Sequence, residues 1–296
     1  MDLTDQLNCV ITQCIQLSPM MKIIKVKPDG WKFPEFEAGQ FVALGLPPDY
    51  PRCIESEDDF EPPKQGRLIR RAYSIASHPE NKDYVELVIR WVRKPLPGRL
   101  TTQIFNAKEG DEILWLKPTG RALLVNQELA NGEKDNRRII CIGGGTGLAP
   151  FVSFAQHFHD TGDKREIIVL HGASYVDELS YKDLLTNLEN ESIARGKDEW
   201  NFKYRAAISR PQEWFNRSWA GQVGRVETFL RPRDGGMSPL EELIGDKITK
   251  ENTMFYVCGW QGTIDGVMDF LNPKDFVTEH DKREDGSFEV KYESYG

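Results

Sequence analysis

A glycine-rich segment, Gly143–Gly147, has the residue types that bind a phosphate group. It follows an apolar run at 138–142 and precedes a segment of helical character at 149–159. Glycines allow backbone N–H groups to approach a pyrophosphate, and the N-terminus of the following helix stabilises its negative charge. The spacing differs from G-x-G-x-x-G, because Leu148 occupies the third glycine position. The segment predicts a nucleotide-binding turn; a tight strand–helix connection without a ligand is the alternative.

The segment Arg70–Ser77 brings a cation, an aromatic ring and a hydroxyl close together. Arg71 can pair with a phosphate, Tyr73 offers a flat stacking surface, and Ser74 supplies a small hydroxyl. On a strand, Arg71 and Tyr73 share one face and Ser74 lies on the other. The same residues also fit an ordinary strand edge with an exposed arginine, so this segment alone leaves both interpretations open.

The segment Gly98-Arg-Leu-Thr-Thr102 precedes a second stretch of helical character. A glycine and two hydroxyl side chains at the start of a helix can hold a phosphate. The same pattern occurs where a helix is merely capped. We therefore take this segment as a third candidate whose meaning depends on the other two.

The elements that must position these residues differ between the two halves of the chain. Roughly the first 125 residues contain short strands at 41–46, 84–92 and 112–116, separated by Gly and Pro, which is typical of a barrel or sandwich. After a polar stretch at 126–136, which we interpret as a linker, strands alternate with helices. The predicted strands are 138–142, 166–171, 204–208 and 253–258, and the predicted helices are 149–159 and 177–188.

This change of pattern predicts two domains. An antiparallel β-barrel domain covers 1–130, and an α/β domain with a parallel sheet covers 131–296. Two segments, 49–66 and 231–245, are rich in Pro, Gly or acidic residues. We expect both to be solvated loops, although each could instead be an ordered loop that contacts a partner.

Composition excludes several classes of protein. The 296 residues carry a formal net charge of −8, which disfavours general nucleic-acid binding. No apolar run reaches the roughly 20 residues of a membrane span, and the N-terminus does not have the pattern of a secretory signal. The five cysteines are odd in number and widely spread, so we expect reduced thiols and a cytoplasmic location. No spacing of Cys or His predicts a metal site.

Taken in order, the motifs resemble those of the ferredoxin/flavodoxin–NADP reductase family, most closely its bacterial members. Arg71–Ser74 is similar to the flavin signature R-x-Y-S, Gly98–Thr102 to a second flavin motif, and Lys117–Gly120 to a turn beside the flavin. Gly144–Pro150 resembles the NADP-pyrophosphate loop. The remaining matches are Ile208–Arg210 and Gly224-Arg225, similar to adenosine 2′-phosphate sites, and Val257–Gly259, similar to the Cys-Gly pair beside the nicotinamide.

The resemblance implies a flavin-binding barrel followed by a parallel nucleotide domain of five or six strands. It implies that Arg71 contacts the FAD pyrophosphate, that Tyr73 packs on the isoalloxazine or ribityl chain, and that Ser74 lies near the flavin N5. Ser74, Tyr73 and Cys258 are the implied catalytic residues. The implied cofactor-binding residues are Arg71, Ala72, Tyr73, Ser74, Ile89, Arg90, Trp91, Gly98, Leu100, Thr101, Thr102, Thr119, Gly144, Gly145, Thr146, Gly147, Pro150, Arg210, Arg225, Cys258, Gly259, Tyr292 and Tyr295.

Two features depart from the family pattern or leave it open. Ser174 stands where bacterial members usually have an arginine, which removes one candidate contact to the 2′-phosphate. In the family the C-terminal tail covers the flavin, often with an aromatic residue. Here either Tyr292 or Tyr295 could take that place. We expect the residues from Tyr292 onward to act as a removable lid whose deletion leaves the fold intact.

The implied activity is electron transfer between NADP(H) and a small one-electron carrier protein, ferredoxin or flavodoxin, through FAD. Ferredoxins are usually acidic, so docking on this acidic chain requires a local basic surface, for which Arg90, Arg93, Lys94 and Arg99 are candidates. An NADH-dependent flavin reductase that serves a haem protein or oxygenase is one alternative. A non-catalytic flavin-binding subunit or sensor is another.

Overall fold

The structure is a computed structural model that describes residues 2–53, 55, 66–92, 98–232 and 235–295. The chain forms two compact units, Met1–Arg121 and Ala122–Gly296. Residues 122–130, which the sequence analysis assigns to the first domain, thus lie in the second unit. Most of the expected loop at 49–66 lies outside the described residues.

The first unit is a six-stranded antiparallel sheet in the order β4-β3-β6-β1-β2-β5. This confirms the predicted antiparallel β half. Its elements are β1 (Cys9–Ser18), β2 (Met21–Pro28), β3 (Phe41–Leu46), β4 (Ile69–Ser74), β5 (Val85–Arg90), α1 (Arg99–Asn106) and β6 (Glu112–Trp115).

Alternation along these strands builds the core of the first unit. On β3, Val42, Leu44 and Leu46 are completely buried, while Phe41 and Ala43 between them are partly exposed. The sequence analysis did not predict β1 and β2. Polar residues interrupt the apolar pattern of β1, and lysines interrupt that of β2, so neither sequence shows a clear apolar run.

A buried lysine fixes the position of α1. Lys22 Nζ donates to the carbonyl oxygens of Ile104, Phe105 and Ala107, at 3.2, 2.8 and 3.3 Å. A cation at the C-terminus of a helix satisfies the last carbonyls and complements the helix dipole. The N-terminus of α1, which carries Gly98–Thr102, is therefore held by an anchor at the opposite end of the helix.

The second unit is a six-stranded parallel sheet in the order β10-β9-β8-β7-β11-β12. Every residue of β8 and β11 is buried, as expected for strands covered on both faces. Its elements are β7 (Arg138–Gly144), α2 (Ala149–Thr161), β8 (Ile167–Ala173), α3 (Lys182–Arg195), β9 (Phe202–Ile208), β10 (Gln222–Val223), α4 (Pro239–Ile244), β11 (Thr253–Gly259), α5 (Gln261–Leu271) and β12 (Val290–Ser294).

In the second unit, one helix has other bounds than predicted, and one segment predicted to be a loop contains a helix. The helix expected at 177–188 begins later, at Lys182, because the chain turns at Tyr181, whose φ of 58° is left-handed. The expected loop 231–245 contains α4. Its start is marked by a capping box, in which Ser238 and Glu241 each accept a hydrogen bond from the other's backbone N–H.

The polar stretch 126–136 is not a free linker. Asp135 is buried and accepts hydrogen bonds from Arg137 Nη2 and Nε at 2.7 and 3.0 Å. Arg165 Nη1 donates to the carbonyl oxygens of Asn126 and Asp135, at 3.0 and 3.3 Å. Polar side chains here make buried ion pairs, so polarity alone did not identify the boundary.

Across the part of the chain that the structure describes, no helix has both the length and the apolar character needed to cross a membrane. All five cysteines are free thiols.

Candidate functional site

The second unit, called the nucleotide unit after its predicted nucleotide-binding turn, has a sheet edge at which the strand order reverses. From β7 the chain proceeds outward through β8, β9 and β10, and then returns to the other side of β7 with β11 and β12. Open α/β sheets bind ligands outside the carboxyl ends of their strands at this kind of switch point. Here the switch point lies between Gly144, at the end of β7, and Gly259, at the end of β11.

The glycines at this point allow two backbones to meet. A Cβ on Gly147 would lie 2.2 Å from the carbonyl oxygen of Cys258, so a larger residue cannot fit without movement of the backbone. Gly145 has a φ of 59°, which favours glycine. The turn Gly145–Leu148 leads directly into α2, and Pro150 lies in the first turn of that helix. Backbone N–H groups thus collect at a helix start, as the sequence predicted.

Neighbouring strands at the same edge are followed by the two arginines predicted to contact the 2′-phosphate and by Ser174, where a third candidate contact is missing. Ser174 follows β8, Arg210 follows β9, and Arg225 follows β10. The exposed Arg210 guanidinium donates to the Tyr175 hydroxyl and lies over its ring, 5.2 Å from the centroid. Arg225 pairs with the buried carboxylate of Glu227, Nε to Oε1 at 3.1 Å.

An exposed aromatic cluster, Tyr175–Phe215–Trp214, adjoins Arg210. The ring centroids of Tyr175 and Phe215 are 5.0 Å apart, and those of Phe215 and Trp214 are 5.4 Å apart. Trp214 is 74% exposed, which is unusual for an aromatic side chain of this size. The sequence analysis did not single out these residues, because they lie in a short irregular segment without periodicity.

Cys258 and the C-terminal strand form the other side of this edge. The buried Cys258 thiol donates to the Tyr295 hydroxyl at 3.0 Å. Burial raises the pKa of Cys258, and the negative charge of Glu293, its partner across β11 and β12, raises it further. The thiol is therefore protonated at neutral pH, which fits a packing and polar role better than a nucleophile.

The tail prediction needs correction. The residues from Tyr292 onward include most of β12, whose backbone pairs with β11, so their deletion removes an edge strand. Tyr292 packs against the core of the nucleotide unit and contacts the His280 ring at 5.3 Å. Of the two tail tyrosines, only Tyr295 lies beyond the strand and contacts Cys258. Whether either covers the flavin stays a prediction.

In the first unit, β4 carries the flavin signature. Arg71 is exposed, and its Nη1 donates to the carbonyl oxygen of Arg70 at 2.7 Å. The Tyr73 hydroxyl is buried and has no hydrogen-bond partner among the described residues. Burial raises the pKa of Tyr73, while the charge of Arg71 acts in the opposite direction. Ala72 is exposed, and Ser74 is buried.

The start of α1 shows two threonines with different access. Thr101 Oγ1 donates to the Gly98 carbonyl at 2.8 Å and is partly exposed. Thr102 is completely buried; its hydroxyl donates to the Arg99 carbonyl at 2.7 Å and accepts from Arg52 Nε at 3.1 Å. Of these two threonines, Thr101 is the one with solvent access, and the phosphate contact expected of both stays a prediction. Leu100 is buried in the core.

The other predicted flavin contacts lie at strand ends. Ile89 is buried near the end of β5, followed by the partly exposed Arg90. Trp91 is buried against the Phe105 ring, with centroids 5.6 Å apart, and its backbone N–H donates to the Met20 carbonyl at 2.9 Å. Thr119 is exposed and exchanges two backbone hydrogen bonds with Phe41, both 2.9 Å.

Comparison with known proteins identifies the two units. Residues 60–123 match the oxidoreductase FAD-binding domain, and residues 141–269 match the oxidoreductase NAD-binding domain. A ferredoxin–NADP+ reductase from Neisseria gonorrhoeae, with bound FAD and NADP, superposes with a TM-score of 0.71 at 20% identity, covering 97% of each chain. The chain carries both oxidoreductase domains in the predicted order and has the fold of the ferredoxin–NADP reductases. The predicted fold class and cofactors, FAD and a nicotinamide nucleotide, are confirmed, and these matches agree with the predicted family; the bacterial subtype stays a prediction.

The relatives of this reductase differ in what their names describe. A component of the Na+-translocating NADH-quinone reductase of Pseudomonas aeruginosa is 27% identical over 275 residues, which is 85% of this chain and 60% of that protein. The chain thus spans about 60% of the length of such curated relatives. The FAD/NAD-binding domain of a Vibrio cholerae nitric oxide dioxygenase superposes with a TM-score of 0.68 at 14% identity, covering 98% of each chain.

The side chains of this reductase fit the two cofactors. In the flavin unit, the unpartnered Tyr73 hydroxyl and the exposed Arg71 and Ala72 leave polar groups and space along β4 for a ligand. In the nucleotide unit, the turn leaves no space for a Cβ at Gly143 or Gly147. Sequence analysis missed the partly buried Glu293 and the completely buried His171 at this edge, and only their positions near strand ends could have indicated them.

Proposed function

We propose that this reductase transfers electrons between NADP(H) and a small one-electron carrier protein, ferredoxin or flavodoxin. Bound FAD supplies the conversion between hydride transfer and single-electron transfer. The observation that carries the choice of NADP(H) is Arg210, exposed at the carboxyl edge of the sheet and supported by the Tyr175 ring. The predicted catalytic and cofactor-binding residues named above are part of this proposal.

Arg210 has the chemistry needed to select NADPH. The two coenzymes differ by one 2′-phosphate, with a charge of about −1.5 to −2 if it titrates like a phosphoserine. A guanidinium binds such a group through parallel charge-assisted hydrogen bonds. Stacking on Tyr175 limits the freedom of the Arg210 side chain, so less entropy is lost when the phosphate binds.

Two features reduce the expected preference. Arg225 is engaged by Glu227, so its contact with a phosphate competes with an existing ion pair. Ser174 offers a hydroxyl where a cation would strengthen binding. We therefore expect a clear preference for NADPH together with measurable activity with NADH.

Near the predicted catalytic residues, the role of the chain is to orient the cofactors and to shield them from water. The Cys258 thiol is protonated and paired with the partly exposed Tyr295 hydroxyl at the end of β11, and the buried Ser74 hydroxyl lies at the end of β4. On the flavin unit, Arg90 and Arg99 are partly exposed and can serve a basic docking surface for an acidic carrier. The other two candidates, Arg93 and Lys94, lie outside the described residues.

An NADH-dependent flavin reductase is the second candidate function. Two observations favour it: Ser174 removes a phosphate contact, and the curated relatives at 27% identity are named as components of NADH-quinone reductases. Both candidates use the same two units and differ in the coenzyme and in the acceptor.

A steady-state assay separates the candidates. The purified protein is supplied with NADPH or NADH, and with ferredoxin, flavodoxin or a cytochrome as acceptor. We expect a higher kcat/KM with NADPH and reduction of ferredoxin or flavodoxin. A higher kcat/KM with NADH would favour the second candidate. FAD that no nicotinamide reduces, even with ferricyanide as acceptor, would indicate a non-catalytic flavin-binding protein.

A further inference from the structure

His171 is a completely buried histidine beside the nucleotide-binding turn. It lies on β8 directly opposite Gly143 of β7. Paired residues on neighbouring strands project to the same face of a sheet, and on that face the turn covers Gly143. A Cβ on Gly143 would lie 2.8 Å from Leu148 Cα and 3.1 Å from the Gly147 carbonyl oxygen. The His171 ring therefore lies beneath the turn.

The two ring nitrogens of His171 have different surroundings. Nδ1 is 3.3 Å from the hydroxyl of Tyr204 on β9. Nε2 is buried and has no hydrogen-bond partner in the ranges that the structure describes. Burial lowers the pKa of His171 to about 4, and contact with the Gly145 backbone opposes that shift. The His171 ring is thus neutral at neutral pH, so only one of its two nitrogens carries a proton.

The direction of the hydrogen bond with the Tyr204 hydroxyl determines which nitrogen of His171 is protonated. If Tyr204 donates to Nδ1, the proton of the imidazole is on Nε2, and the ring points a donor toward Gly145. A buried donor left unpaired is costly, so the nearby carbonyl is a favourable partner. In a trans peptide the carbonyl and the following N–H point in opposite directions.

We propose that His171 is a positioning residue whose Nε2–H holds the Gly145 carbonyl inward and thereby turns the Thr146 N–H outward to the nucleotide pyrophosphate. Nε2 has no other hydrogen-bond partner among the described residues, so its N–H is available for the Gly145 carbonyl. The inference rests on the nucleotide site of the proposed function, but not on the choice of coenzyme, because NADPH and NADH share the pyrophosphate.

Matched substitutions at one position test the proposal. His171→Leu removes both nitrogens, whereas His171→Gln keeps an N–H donor near the Nε2 position. We expect His171→Leu to raise the KM for NADPH and for NADH by at least about tenfold each, the effect of losing the charge-assisted hydrogen bond from the Thr146 N–H to the pyrophosphate. The kcat at saturation and the FAD content should stay close to wild type. His171→Gln should recover most of the lost affinity.

Several outcomes overturn the proposal. They are an unchanged KM in His171→Leu, a loss confined to one coenzyme, or a His171→Gln variant as impaired as His171→Leu. A wild-type enzyme that prefers NADH would refute the proposed coenzyme choice and leave this inference intact.

A measurement on the unmodified protein covers the case in which the leucine variant does not fold. Nitrogen-15 NMR of the histidine-labelled holoenzyme should show Nε2 protonated and Nδ1 unprotonated between pH 6 and 8. Adding NADP+ should shift the Nε2–H resonance of His171. A proton on Nδ1, or a His171 resonance that NADP+ leaves unchanged, would refute the positioning role.

Discussion

The candidate nucleotide site and the candidate flavin site are built from different parts of the chain. At the nucleotide site the backbone forms the ligand surface: Gly147 and Cys258 meet so closely that a Cβ has no space. At the candidate flavin site, side chains form the predicted ligand surface. Arg71 supplies a guanidinium, and Tyr73 and Thr101 supply hydroxyls. The backbone surface at the candidate nucleotide site is thus part of the fold itself.

The flavin side chains are instead engaged with their own chain or left without a partner. Arg71 donates to the Arg70 carbonyl, Thr101 donates to the Gly98 carbonyl, and the Tyr73 hydroxyl is unpaired among the residues described. Binding FAD must therefore exchange local hydrogen bonds for new ones. The nucleotide turn requires little such exchange, so substitutions should disturb the two sites through different mechanisms.

The largest expected effect is that of Gly147→Ala. The new methyl group would lie 2.2 Å from the Cys258 carbonyl oxygen, and both groups are backbone or fixed to it, so the turn must move. A displacement of about 1 Å in a substrate-positioning element can cost about hundredfold in rate. We expect kcat/KM for both coenzymes to fall by about that factor, measured in steady state, while the FAD content stays near wild type.

Gly162→Ala is the matched control in the same unit. Gly162 ends α2 with a φ of 70° and has open space around it, so alanine there adds strain without a clash. The free energy of unfolding should fall by about 1–2 kcal/mol, the cost of a left-handed conformation for a residue with a Cβ, and coenzyme kinetics should stay unchanged. Equal kinetic losses in both variants would mean that the close approach at Gly147 has no special role.

The next effect sharpens the contrast at the flavin site. Arg71→Ala should weaken FAD binding by about 1.5–3 kcal/mol, the usual contribution of a charge-assisted hydrogen bond. The measurement is FAD release on dilution, followed by flavin fluorescence. Arg70→Ala is the control, because Arg70 is also exposed and is adjacent on β4. If both variants retain FAD equally well, Arg71 does not bind the flavin phosphates.

The contrast between a site made of backbone and a site made of side chains explains how much of the structure the sequence could predict. The turn 143–147 and the strands around it were predicted because each depends on local features: glycines, apolar runs and a helix start. The end of β7 fell only two residues beyond the prediction, at Gly144 rather than Ile142. The start of α3 was placed five residues too early, because Tyr181 adopts a left-handed conformation that its residue type does not announce.

What the sequence could not supply were contacts made across strands. The aromatic cluster beside Arg210 joins Tyr175 to Phe215, forty positions later. The hydrogen bond from Cys258 to Tyr295 depends on β12 pairing beside β11, and β12 was expected to be a movable tail. The ion pair of Arg225 with the buried Glu227 was not predictable, because a glutamate two residues after an arginine is usually solvated.

A smaller and more selective effect is expected at the 2′-phosphate. Arg210→Ala should lower kcat/KM for NADPH by at least about tenfold, because a charge-assisted contact is lost. Activity with NADH should remain nearly unchanged, since NADH lacks the phosphate. Arg217→Ala is the control, because Arg217 is an exposed arginine of the same segment. A parallel loss with both coenzymes would show that Arg210 supports the fold of the edge rather than the phosphate.

The smallest expected effect concerns Glu293, whose carboxyl lies on β12 opposite Cys258. Burial raises the pKa of Glu293 above its ordinary value of 4.5, so the folded protein holds this proton more tightly than the unfolded chain. The stabilisation from that proton is complete below the ordinary pKa and is lost as pH rises through the raised value. Glu293→Gln carries no titrating proton, so its free energy of unfolding relative to wild type should increase with pH and then level off. Urea unfolding from pH 4 to 8 measures this difference.

Glu251→Gln is a control of opposite sign, because hydrogen bonds from Thr249 and from its own backbone lower the pKa of Glu251. A Glu293→Gln difference that does not change with pH would show that Glu293 ionises as freely in the folded protein as in the unfolded chain.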